Sequence, residues 1–189
     1  MSLPNNLLSL YRQQELRKSL NAIFKPDYFM KLIPDPAIGE DVNKKTRLVL
    51  KPIFLLEDYL EGCTKKEDQL MGLTVFIEKL IRLSGRITKD DKRYWGFVAF
   101  MIINNDHINQ YFSMVIDFLV SEMKIIYLSE DDEDNSFRVE GSDLALSIFN
   151  IIYPLLDKNE NFLKYGDGYT EDKYYELLNN NYIEGYETK

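Results

Sequence analysis

The chain has 189 residues, 45% of them apolar and 13% aromatic, and carries a formal net charge of −8. That length suits one domain with a substantial core, and the aromatic content argues against a disordered chain. The acidic balance disfavours partners held by their phosphates, whether nucleic acid or anionic membrane, and a single cysteine excludes an internal disulfide.

The N-terminus has no basic start followed by an apolar core, so no secretory signal is expected. With one cysteine, the chain fits a reducing, cytoplasmic setting. Leu16, Leu20, Ile23 and Phe24 recur at helical spacing and predict a first helix over Asn5 to Phe24. A short helix is expected from Pro26. Residues 34–45 hold two prolines, a glycine and five charges, and read as a loop. A helix over Thr46 to Glu61 follows, with Pro52 either kinking it or starting it. Thr64 to Glu67 matches a capping box, in which the hydroxyl caps an amide and the carboxylate reaches back. The helix it opens carries Leu70, Leu73, Phe76, Ile77, Leu80 and Ile81 and stops at Gly85. Thr88 to Asp91 repeats the capping pattern before an apolar helix through Trp95 to Ile103. The run Tyr94 to Ile103 is wholly apolar, too short to span a bilayer, and reads as a buried central helix. After a break at Asn104 to Asp106, an amphipathic helix carries Ile108, Phe112, Val115, Ile116 and Leu119.

Two short apolar runs, Lys124 to Leu128 and Phe137 to Val139, flank an acidic stretch and predict a β-hairpin over 124–140. Tyr127 and Phe137 are candidates for a cross-strand pair. Ser142 caps a further helix with Leu144, Ile148, Ile151, Ile152 and Leu155 on one face. Thr170 begins a last helix with Glu171 and Asp172 in its first turn, where the helix dipole favours acids. The expected fold is mainly α: an antiparallel bundle or HEAT-like array of roughly six to eight helices with one small hairpin. A single domain over 1–189 is expected, with a sub-division into a bundle over 1–122 and a hairpin with C-terminal helices over 123–189. Helix, hairpin and helix in that order also outline a winged-helix-like C-terminal part.

The chemistry is bounded by what is scarce. One histidine, His107, and one cysteine, Cys63, cannot build a zinc cluster. Cys63 precedes a helix start, where a thiolate would be stabilised, yet nothing in the sequence brings His107 to it. Glu57 and Glu61 share a helix face, but no Glu-x-x-His accompanies them. No glycine-rich phosphate loop occurs. The register Ser129, Asp131, Glu133 and Glu140 approaches a calcium loop, but Asp134 stands where glycine is required. No cofactor, metal or catalytic group is therefore expected.

What is abundant points to a partner. Tyrosine concentrates near the C-terminus, and exposed tyrosine suits interfaces. The tentative partner-binding residues are the acidic hairpin tip, Glu130, Asp131, Asp132, Glu133 and Asp134, and the ring set Tyr165, Tyr169, Tyr174 and Tyr175. The expected function is a non-enzymatic helical protein-protein interaction module: a scaffold, regulatory subunit or neutralising, immunity-type partner. The expected partner is another protein, a basic one among the candidates, with no membrane and no direct nucleic acid. A winged-helix-type subunit of a DNA-associated complex is the alternative, although a wing meeting phosphate would carry Lys or Arg at its tip rather than acids. A carboxylate-based enzyme is the second alternative.

Overall fold

The computed structural model describes residues 5–32, 42–127, 137–159, 162–163 and 169–179. Among these, the elements run α1 (Asn5–Ile23), α2 (Pro26–Met30), α3 (Val42–Glu61), α4 (Lys66–Ser84), α5 (Tyr94–Ile103) and α6 (Asn105–Glu122). The hairpin β1 (Met123–Tyr127) and β2 (Phe137–Gly141) follows, then α7 (Asp143–Lys158) and α8 (Tyr169–Leu178). The protein is thus mainly α with one small antiparallel hairpin, as its periodicity implies.

α4 lies at the centre of the packing. Leu70, Leu73, Val75, Phe76, Ile77, Leu80 and Ile81 are all buried along it, so it has no single solvent-free stripe but apolar contact on several sides. It packs against α1, α3, α6 and α7. In a solenoid each repeat touches only its neighbours. A central helix reaching α7 across the hairpin is instead the arrangement of a bundle. One buried cluster contains residues from Leu16 in α1 to Leu177 in α8.

Aromatic rings form the densest part of that cluster. Phe100 is fully buried, with ring centroids 5.8 Å from Phe24, 6.3 Å from Tyr28 and 6.0 Å from Phe29. All three contacts are edge-on, the geometry favoured by ring quadrupoles. Phe29 adds an edge contact to Phe97 at 5.4 Å. α2 and α5 approach closely because Gly96 lacks a side chain. A methyl group there would overlap the Phe29 carbonyl oxygen. Gly72 likewise leaves room for the Tyr59 ring.

Tyr28 is buried in this cluster, and its hydroxyl donates to the Leu48 carbonyl at 2.7 Å. Burial holds its ionisation well above the ordinary tyrosine value. The folded chain therefore keeps a proton that the unfolded chain releases near pH 10, so the stability this group contributes is fully present below that pH and is lost progressively as pH rises from there through the higher folded value. Unfolding in urea followed from about pH 9 to about pH 11 should show falling stability. Tyr28→Phe should flatten that fall, while costing about 1–3 kcal/mol at neutral pH through the orphaned Leu48 carbonyl. An equally steep alkaline fall in the variant would assign the effect to other groups.

Several local expectations need correction. The segment read as a loop over 34–45 turns helical at Val42, with 33–41 outside the described residues. α3 runs through Pro52 and does not begin there. Neither threonine capping box forms. Lys65, not Thr64, takes the extended N-cap position of α4, without a side-chain bond, so Thr64 sits one residue too early. Residues 88–91 form a turn instead of a helix start, with the Asp91 amide donating to the Thr88 carbonyl at 3.0 Å. The Asp91 carboxylate accepts from the Arg93 amide at 2.8 Å and from its guanidinium Nε at 2.9 Å, which delays α5 to Tyr94. Those same bonds hold the Asp91 carboxyl down to about 2. Ser142 does cap α7, accepting from the Ala145 amide at 3.2 Å.

The strands pair in the register Met123↔Gly141 to Tyr127↔Phe137, so the expected cross-strand pair is opposed. Met123 and Ile125 are buried on one face while Lys124 points outward, the two-residue alternation of a half-buried strand. Phe137 packs on α7, with rings 6.3 Å from Phe149 and 5.3 Å from Tyr153.

Candidate functional site

The largest departure from the sequence reading concerns α5. Its ten residues contain no charged or polar hydrogen-bonding side chain beyond Tyr94 and Trp95. A helix apolar on every side is expected to be covered on every side. Only Gly96, Phe97, Phe100 and Met101 are buried. Trp95 is 68% exposed, Ile102 62% and Ile103 59%. α5 is therefore not a buried central helix. It is a peripheral helix whose inner face packs against α2 and whose outer face meets solvent.

Helical geometry makes that outer face continuous. Positions 95, 99 and 102 follow the i, i+4, i+7 spacing and stand one above another. Trp95, Ala99 and Ile102 occupy them, with Ile103 beside them. α2, packed against α5, exposes Met30 as well. The Tyr94 ring lies edge-on to the Trp95 indole at 5.1 Å and braces it.

The helix is also held at a fixed phase. Asn104, fully buried, makes a one-residue corner between α5 and α6. Its Nδ2 donates to the Val49 carbonyl at 3.2 Å and to the Phe100 carbonyl at 3.1 Å, tying the corner to α3. Its Oδ1 finds no hydrogen-bond partner among the described residues. A buried orphan acceptor costs about 1–3 kcal/mol, which marks the corner as strongly specified by its surroundings.

The residues weighed for chemistry are scattered. Cys63 Sγ bonds the Tyr59 carbonyl at 3.2 Å, and burial pushes its thiol up, so the helix start does not yield a thiolate. His107 instead faces Glu57, with Nδ1 3.8 Å from Oε1. The Tyr111 hydroxyl donates to the same oxygen at 3.4 Å, and burial followed by the Glu57 charge pushes that phenol up to about 12. His107 and Glu57 are each about two-fifths exposed, so their pairing contributes little in water. Among the described residues no group of three or more His, Cys, Asp or Glu is placed to hold a metal. No helix there is long and apolar enough to cross a membrane.

Of the candidate partner-binding residues, Tyr169, Tyr174 and Tyr175 fall among the described residues. Glu130, Asp131, Asp132, Glu133 and Asp134, and Tyr165, lie outside the described residues. Tyr169 is the first residue of α8. Tyr174 is half-buried and Tyr175 is 52% exposed, with rings 5.9 Å apart. α8 is anchored on α6 instead of being free: Leu177 is fully buried, and Lys173 Nζ lies 2.6 Å from Asp117 and 2.8 Å from Glu176. The winged outline recurs as α6, hairpin and α7. The helix leading into the hairpin holds Asp106, Asp117 and Glu122 and no lysine or arginine, so it offers phosphate no cation.

No family model matches this chain, and no curated protein or solved structure matches it.

Proposed function

We propose that this chain is a non-enzymatic helical protein-protein interaction module that presents the outer face of α5 to a basic protein partner. The observation that carries the reading is the 68% exposure of Trp95 on a helix with no charged residue. Isolated exposed apolar residues are ordinary, but a stripe of Trp, Ile and Ile on one helix face has the composition of an interface centre. Tryptophan is among the residues whose truncation weakens binding most. The net charge of −8 supports a basic partner, because complementary fields speed encounter and exclude wrong partners.

The test installs a photo-crosslinking residue at Ile103 in the native host and identifies the captured protein. That protein is then purified and titrated against the full chain. The reading expects a net basic partner, association that slows with added salt, and affinity at least about tenfold weaker for Trp95→Asp or Ile102→Asp. Unchanged affinity in both variants would sink it. So would sedimentation showing that the face is covered by a second copy of this chain.

A further inference from the structure

α1 and α4 enclose a second feature, of opposite character. A groove of about 140 Å³ lies between them, with Arg17 and Asn21 on one wall and Glu78, Lys79 and Arg82 on the other. On α4, Lys79 and Arg82 follow the i, i+3 spacing and share a face, and Arg86, just beyond the helix end, lies close enough to act on Lys79. Arg17, contributed by α1, reaches Glu78 Oε2 at 3.2 Å. Arg82 Nε reaches Oε1 at 3.2 Å. Lys79 Nζ donates to Asn21 Oδ1. Arg17 and Arg82 thus share the Glu78 carboxylate with Lys79 beside them, a local excess of cations in a chain whose overall charge is −8. Lys79 registers the crowding. Burial first, then Arg86, lower its ionisation from the ordinary lysine value, with Arg82 and Arg17 adding to the effect against Glu78.

We propose that this groove binds a single phosphate group, free or on a small soluble molecule, with Lys79, Arg82 and Arg17 as its donors. Guanidinium forks match phosphate oxygens in pairs, and an ammonium adds a compact point charge. The arginine heads reach water, Arg17 at 45% exposure and Arg82 at 49%, so an incoming anion can share them with the more buried Glu78 carboxylate. Size restricts the ligand, because pockets for drug-sized molecules start near roughly 300 Å³. Charge restricts it further. A lone phosphate meets the local cations and the single Glu78 carboxylate, whereas a nucleic acid or an anionic bilayer would also meet the acidic remainder of the surface.

The experiment melts the full chain in inorganic phosphate and in chloride of equal ionic strength, then titrates phosphate and glycerol phosphate by calorimetry. Phosphate should raise the midpoint progressively with concentration, as a ligand of the folded state must, and chloride should not. Lys79→Met/Arg82→Met should weaken phosphate binding at least about tenfold, while Lys124→Met, on the exposed strand residue, should leave it unchanged. Should the double variant fail to fold, Arg17→Met, at a half-exposed side chain, reads the same loss. Equal shifts in phosphate and chloride would overturn the proposal, as would unaltered affinity in the groove variants. Binding to phosphatidic acid vesicles without binding to either soluble phosphate would overturn it in favour of a membrane surface.

Discussion

Phe100→Ala should destabilise the protein by about 3–5 kcal/mol, the range for removing a fully packed ring from a core. The magnitude follows from where the ring sits. It has no solvent exposure and touches Phe24, Tyr28 and Phe29, which belong to the end of α1 and to α2. Its loss would leave a void bounded by rings that are themselves held by further rings, so relaxation into the gap is restricted. Urea unfolding should show a lower midpoint with an unchanged slope. Phe54→Ala provides the contrast. Phe54 is 48% exposed, and its removal should change stability by less than about 0.5 kcal/mol. Similar costs for the two variants would refute the packing described around Phe100.

Gly96→Val should cost about 3 kcal/mol, the upper end of the cost of overpacking, although it adds apolar surface and removes a flexible glycine from a helix. On helix propensity alone the change would be favourable or neutral. The close approach of α2 decides the sign. The obstructing atom is the Phe29 backbone carbonyl oxygen, which cannot rotate away as a side chain can. The two helices must separate, and the edge contacts of Phe29 with Phe97 and Phe100 go with them. Gly62→Ala tests the same logic in reverse. A methyl at Gly62 would meet Arg12 at 3.4 Å, an ordinary contact, so its effect should stay within about 0.5 kcal/mol. Thermal melts of the two variants side by side would show whether space or propensity governs.

Much of the fold was legible because amphipathic periodicity reports which side of a helix is covered. α1, α4, α6 and α7 follow their apolar spacing closely, and Ser142 caps where its position implies. The capping boxes at Thr64 and Thr88 were misleading for a physical reason. A cap motif acts only if the backbone enters the helix at that residue, and contacts such as Asp91 with Arg93 moved the entry. The candidate site was illegible for the opposite reason. Ten apolar residues in succession contain no periodic signal, so nothing in Tyr94 to Ile103 says which side is left open. The basic groove was half legible. Lys79 and Arg82 share a helical face by spacing, but Arg17 and Asn21 arrive from α1 through tertiary packing.

The exposed indole has a consequence for spectroscopy. Trp95 is the single tryptophan of the chain. Because it already meets water in the folded state, its emission resembles that of the unfolded chain, and denaturation will be nearly silent in tryptophan fluorescence. Circular dichroism has to follow the folding equilibrium. The same indole becomes a clean reporter of occupancy, since any partner that covers α5 removes water from it and moves its emission to shorter wavelength. One residue thus separates two signals that are mixed in most proteins: the backbone reports whether the chain is folded, and the tryptophan reports whether it is bound.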